Sequence, residues 1–215
     1  AERRSILHSY IEPDEDDRAE GKKLPTAAHH AIAGLVRDGY VRVILTTNFD
    51  RLLENALREV GVEPTVVTSV DSLSGAEPLT HSPCYVLKLH GDYKDARILN
   101  TDEELGVYPP QYDALLDRIL DEHGLIVCGW SGGWDDALRA ALLRAPNRRY
   151  PTFWSIRGKV GSGAEPIISQ RKAVTIPVAD ADSFFLKLAE LVKTLAETRK
   201  QSPLTIDILV GSIKR

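Results

Sequence analysis

The stretch V-R-V-I-L-T-T-N-F-D-R-L-L-E, residues 41–54, decides how the chain is read. Val41, Val43, Ile44 and Leu45 form an apolar, β-branched run with the character of a buried parallel strand, and Leu52, Leu53, Ala56 and Leu57 follow at helical spacing. Between the two runs stand Thr46, Thr47, Asn48, Phe49 and Asp50. Polar residues at the carboxyl end of a strand occupy the place where open α/β sheets bind ligands.

The same alternation extends in both directions. Residues 1 to 10 are expected to be helical, E-P-D-E-D-D-R-A-E-G (12–21) reads as an acidic, solvated loop, and Thr26 caps a helix to about Arg37 with Ala27, Ile32, Leu35 and Val36 inward. Further β-runs are P-T-V-V-T-S-V (64–70), S-P-C-Y-V-L-K-L-H-G-D-Y (82–93), L-I-V-C-G (125–129), P-T-F-W-S-I (151–156) and A-V-T-I-P-V (173–178). Thr101 opens T-D-E-E, a capping-box pattern, before Pro109 and Pro110 interrupt it. Helices are expected over Y-D-A-L-L-D-R-I-L-D-E-H-G, over D-D-A-L-R-A-A-L-L-R and from Asp182 to about Lys200. Six strands interleaved with helices predict an α/β fold: a Rossmann-like, doubly wound, mainly parallel sheet with helices on both faces. Residues 1–200 form one domain in this reading, and 201–215 are a tail, an edge strand or a lead into another domain.

Composition narrows the function classes. With 215 residues, 43% hydrophobic and 27% charged, the chain can bury one substantial core. Lys and Arg number 27 against 31 Asp and Glu, so the net charge of -4 gives no reason to expect nucleic acid or an anionic membrane as partner. Cys84 and Cys128 each sit in an apolar run and read as buried, reduced thiols, not a disulfide framework or a zinc site. No apolar run is long enough for a membrane helix and no basic-apolar leader is present, so the expected location is cytoplasmic. The chain opens on Ala1 and contains no methionine, which suggests a piece of a longer protein.

Three polar clusters end three of the strands: Thr46 to Asp50; Leu89, His90, Gly91 and Asp92; and Gly129, Trp130, Ser131, Gly132 and Gly133. Each alone has a plain explanation, since Asp50 can cap a helix, His90 can sit in a turn and the glycines can punctuate a loop. In a parallel sheet, however, all three share one edge and can converge on one ligand.

On these residues the chain resembles the sirtuins: T-T-N-F-D, K-L-H-G and G-W-S look like the T-Q-N-x-D, L-H-G and G-T-S motifs of that family, in the same order and on the same kinds of element. The closer similarity is to bacterial sirtuin-like domains of the zinc-free NADase type, and it covers Val41 to about Leu191. The resemblance implies NAD as ligand or substrate and cleavage of the nicotinamide–ribose bond as the first step. It implies Asp50 beside the nicotinamide carboxamide, Asn48 orienting the ribose or the attacking water, and His90 as the base. It further implies that Thr46, Thr47, Gly129, Trp130, Ser131 and Gly132 line the cofactor site, with a helix beginning near Trp134 behind them and Ser155 on the adenosine side.

Two departures limit the likeness. There is no C-x-x-C pair after L-H-G, so no zinc module and no bound metal are expected, and protein deacylation falls to third place. The G-A-G-x-S loop is also absent; the expectation is that the first strand and this loop lie upstream of Ala1, the pocket being otherwise incomplete. The leading reading is an NAD glycohydrolase, a bacterial NAD-depleting effector in anti-phage defence. The alternative is a catalytically silent module that senses NAD or ADP-ribose. Partners compatible with both are NAD or ADP-ribose, other domains of a longer chain, and a second copy of the chain.

Overall fold

A computed structural model describes residues 10–95 and 106–200. In chain order its elements are α1 (Glu15–Ala19), α2 (Ala27–Arg37), β1 (Val43–Thr46), α3 (Leu52–Glu59), β2 (Thr65–Val67), α4 (Val70–Ser74), β3 (Tyr85–Lys88), α5 (Pro110–Glu122), β4 (Leu125–Val127), α6 (Asp136–Arg144), β5 (Thr152–Ile156), α7 (Glu165–Arg171), β6 (Val174–Pro177) and α8 (Ala181–Lys200). All strand pairs are parallel. The fold is therefore α/β and Rossmann-like.

Alternation along β3 separates two layers of core. Tyr85, Leu87 and Leu89 face a cluster with Leu116, Ile119, Leu142, Trp154 and Ile167, which brings in α5, α6 and α7. Cys84 and Val86 face the other way, against Ala33 and Val36 of α2 and Ala56 and Leu57 of α3. Helices thus cover both faces of β3, and the strand is buried along its length. The amino end of α2 is tied to α8, where Asp182 accepts hydrogen bonds from the Thr26 hydroxyl and the Ala28 amide, both at 2.7 Å.

The expected single sheet falls into two. One has the order β1-β3-β2 and the other β4-β5-β6. Among the described residues β1 and β4 each have one unpaired edge, and both line a common cleft. For this reason β1, read as buried, is only partly so, and Ile126 of β4 is 40% exposed.

Other departures are local. Part of the acidic stretch 12–21 is helical, because Asp14 accepts from the Asp17 amide at 2.7 Å while the Asp17 carboxylate caps Asp14 in return. Acidic side chains in that first turn also suit the positive end of the helix dipole. Pro110 begins α5 instead of only interrupting what precedes it, since proline at the first helical position gives up an amide that has no intrahelical partner. The short helices α4 and α7 were not anticipated. Cys128 is partly exposed, whereas Cys84 is buried, and burial raises its thiol pKa to about 11. The expected helix at residues 1–10, apart from Tyr10, the T-D-E-E turn at 101–104 and the tail 201–215 lie outside the described residues.

Candidate functional site

The three strand-end clusters meet through hydrogen bonds between their loops. The Leu89 amide donates to the Thr46 carbonyl at 2.9 Å and the Tyr93 amide to the Phe49 carbonyl at 3.1 Å, joining the first loop to the second. Within the first loop the Asn48 amide donates to Thr46 Oγ1 at 3.1 Å, and the Leu52 amide to Asp50 Oδ1 at 3.0 Å. Asp50 thus accepts from the first amide of α3 from a position one residue before the N-cap, Arg51, while its residue still borders the cleft.

Beneath this loop lies a buried lysine. Lys88 is 0% exposed and its ammonium donates to the Phe49 carbonyl at 3.2 Å, the Asp50 carbonyl, Glu54 Oε1 at 3.1 Å and Asp92 Oδ2 at 2.9 Å. Arg51 Nε adds a second cation on Asp92 at 2.8 Å. Burial pushes the Asp92 carboxyl upward, but the Lys94 amide and the Lys88 and Arg51 cations outweigh it and hold the group below the ordinary carboxylate range. A buried ammonium needs this many acceptors, since unpaired it would cost several kcal/mol of desolvation.

His90 is 3% exposed, and its Nε2 lies 2.6 Å from Asp135 Oδ2. The Tyr108 hydroxyl donates to the same oxygen at 2.6 Å, and the Leu138 amide to Asp135 Oδ1 at 2.9 Å. Burial, and then the bond to Asp135, push the Tyr108 phenol far above its usual range. Phe49 and Trp134 flank the imidazole, with ring centroids 6.2 and 5.6 Å away. Asp135 joins the second cluster to the third and caps α6, from a left-handed backbone with φ of 66°.

The third loop is built by close packing. Trp130 lies against Trp154 with centroids 5.6 Å apart, and its buried indole N–H has no partner among the described residues. A Cβ on Gly132 would stand 3.0 Å from the Ala164 backbone, and one on Gly163 would overlap the Gly132 carbonyl, so two glycines permit these loops to touch. Ser131 is exposed and its hydroxyl accepts from the Gly133 amide at 3.2 Å.

The cleft between β1 and β4 has a volume of about 670 Å³, within the range of small-molecule sites. Val43, Ile44, Leu45, Ile126 and Phe153 make its wall apolar, and Thr46, Asn48, Asp50 and Gly129 place polar groups on its border. Of the residues expected at the site, these four line it. Thr47, His90, Trp130, Ser131, Gly132 and Ser155 do not. Ser155 sits within β5, one residue short of the strand's end, and α6 begins at Asp136, two residues later than the expected start near Trp134.

Reading by motif places Asp92 in the second cluster and Lys88 in K-L-H-G without a role for either, and it misses Asp135, Tyr108 and Glu54. For Lys88 a signal existed, because a lone charge inside an apolar β-run is rarely solvated and needs partners. Asp135 had the weaker signal of W-D-D before a helix. Tyr108 had none, since only the tertiary fold brings it to Asp135. Among the described residues no group of three His, Cys, Asp or Glu side chains is placed to hold a metal ion, and no helix is long and apolar enough to cross a membrane.

A family model described as a SIR2-like domain matches residues 42–176, a span from the residue before β1 into β6. No curated protein matches the chain.

Proposed function

The chain belongs to the SIR2-like domain family, and from that premise we propose that it binds NAD in the cleft between β1 and β4 and hydrolyses the nicotinamide–ribose bond. The observation that carries this reading is the meeting of Thr46, Asn48, Asp50 and Gly129 at the cleft, with the buried His90–Asp135 pair packed behind Phe49 of the same loop. Nicotinamide leaves a cationic ring as a neutral one, so departure asks for little acid catalysis. The demands are to stabilise an oxocarbenium-like sugar and to deliver water to it.

In this reading Asn48 orients the ribose or the attacking water, Asp50 lies by the carboxamide, and His90 takes the proton. Thr46, Thr47, Gly129, Trp130, Ser131, Gly132 and Ser155 serve the remainder of the dinucleotide. Depletion of NAD, as a bacterial defence effector would carry it out, is the cellular role that follows. Asn48 is the probe of choice, because it is exposed and, among the described residues, its one hydrogen bond to another residue is made by its backbone. Asn48→Ala in the full-length protein should lower nicotinamide release by roughly a hundredfold or more, as loss of a positioning group does, at an unchanged melting temperature. Wild-type turnover in that variant would remove Asn48 from the chemistry.

A second reading, a module that senses NAD or ADP-ribose without turnover, draws support from one observation: His90 is buried and does not line the cleft. Calorimetric NAD binding by the full-length protein with no nicotinamide released would favour it.

A further inference from the structure

Resting on the hydrolase reading, we propose that Asp135, whose carboxylate also receives the Tyr108 hydroxyl, is the positioning residue that holds His90 in the Nε2–H tautomer, leaving Nδ1 as the nitrogen that accepts a proton. The proton inventory around Asp135 leads there. Its carboxylate offers only acceptors; Oδ1 is taken by the Leu138 amide, and Oδ2 receives the Tyr108 hydroxyl and His90 Nε2, each at 2.6 Å. The amide carries its proton always, and the phenol keeps its own because burial and the neighbouring carboxylate oppose ionisation. A nitrogen at 2.6 Å from an ionised oxygen that already accepts one bond must be a donor. Nε2 is thereby protonated, and in neutral imidazole the lone pair is left on Nδ1, which has no hydrogen-bond partner among the described residues.

The ring is also fixed in angle. Phe49 and Trp134 flank it, and the carboxylate that orients it cannot swing, because Asp135 is at once the cap of α6 and a residue in the left-handed region. Aspartate and asparagine are among the non-glycine residues that best tolerate that backbone, and both cap helices well. Asp135→Asn is therefore a clean probe. The Leu138 amide still requires an oxygen, which turns the new NH2 group toward His90 and Tyr108. Nε2 must then accept, and the tautomer reverses.

The experiment is ring-nitrogen NMR of the ¹⁵N-labelled full-length protein, with nicotinamide release measured on the same samples. The wild type should show His90 as Nε2–H and Asp135→Asn as Nδ1–H, with release falling by about a hundredfold or more, as expected when a base is held in the wrong tautomer. Tyr108→Phe should keep the wild-type tautomer and a larger share of the turnover. A wild-type His90 protonated on Nδ1, an unchanged tautomer in Asp135→Asn, or a reversed tautomer with full turnover would each overturn the proposal. A wild type that releases no nicotinamide removes the hydrolase reading, and with it any role for Asp135 in turnover. The NMR comparison still decides whether Asp135 sets the tautomer.

Discussion

The loops that follow β1 and β3 and the loop that follows β4 meet the same requirement, polar groups held still at a strand's end, with different materials. In the first sheet the loops are tied from below by Lys88, whose ammonium collects two loop carbonyls and two carboxylates. In the second the loop is held by fit, Trp130 on Trp154 and Gly132 against Ala164. The contrast teaches where each device works. Loop carbonyls turned inward need a donor, and one buried cation serves several; the loop after β4 is fixed by close contact together with the Asp135 bonds at its end.

Removing the cation tests the contrast hardest. Lys88→Ala leaves Glu54 and Asp92 buried without their shared partner and should cost about 3–5 kcal/mol in denaturant unfolding. A loss below about 1 kcal/mol would mean that water reaches the cavity and that the first sheet does not depend on buried charge. The matching change in the second sheet is Gly163→Ala, whose methyl would collide with the Gly132 carbonyl. It should cost about 1–3 kcal/mol as an overpacking change and alter Trp130 fluorescence. An unperturbed melt and spectrum would show that this loop is not held by contact.

The smallest effect is on acid stability. The Asp92 carboxyl is held below its ordinary value, so it contributes stability that is fully present above about pH 4, near the unfolded value, and is lost as pH falls through its folded value. Asp38, Glu63 and Asp180 are also lowered but are exposed at the surface, where salt screens them. In high salt the urea midpoint should therefore fall between pH 5 and pH 3 in the wild type and fall less in Asp92→Asn. Equal slopes would assign the acid loss to groups other than Asp92.

Much of this architecture was legible in the sequence. Apolar runs at 43–46, 85–88 and 125–127 are short, β-branched or continuous, and they border helical periodicity, so the local pattern and the tertiary outcome agree. The acidic stretch at 12–21 was misread because charge suggests solvation, whereas the Asp14–Asp17 box depends on a spacing that composition conceals. Likewise, the parallel order implied by alternating elements says nothing of which strand stands beside which. Only the fold reveals two sheets with a cleft between β1 and β4.

What the sequence by itself determined is the order of the six strands and the longer helices, the α/β class and the three polar clusters, all set by neighbours within a few residues of one another. What the tertiary structure alone decided is the set of partners: Lys88 with Glu54, His90 and Tyr108 with Asp135, Trp130 with Trp154. Periodicity records which way a side chain faces. A buried charge or imidazole, by contrast, takes whichever acceptor the packing of distant elements brings within hydrogen-bond reach, and no local pattern encodes that distance.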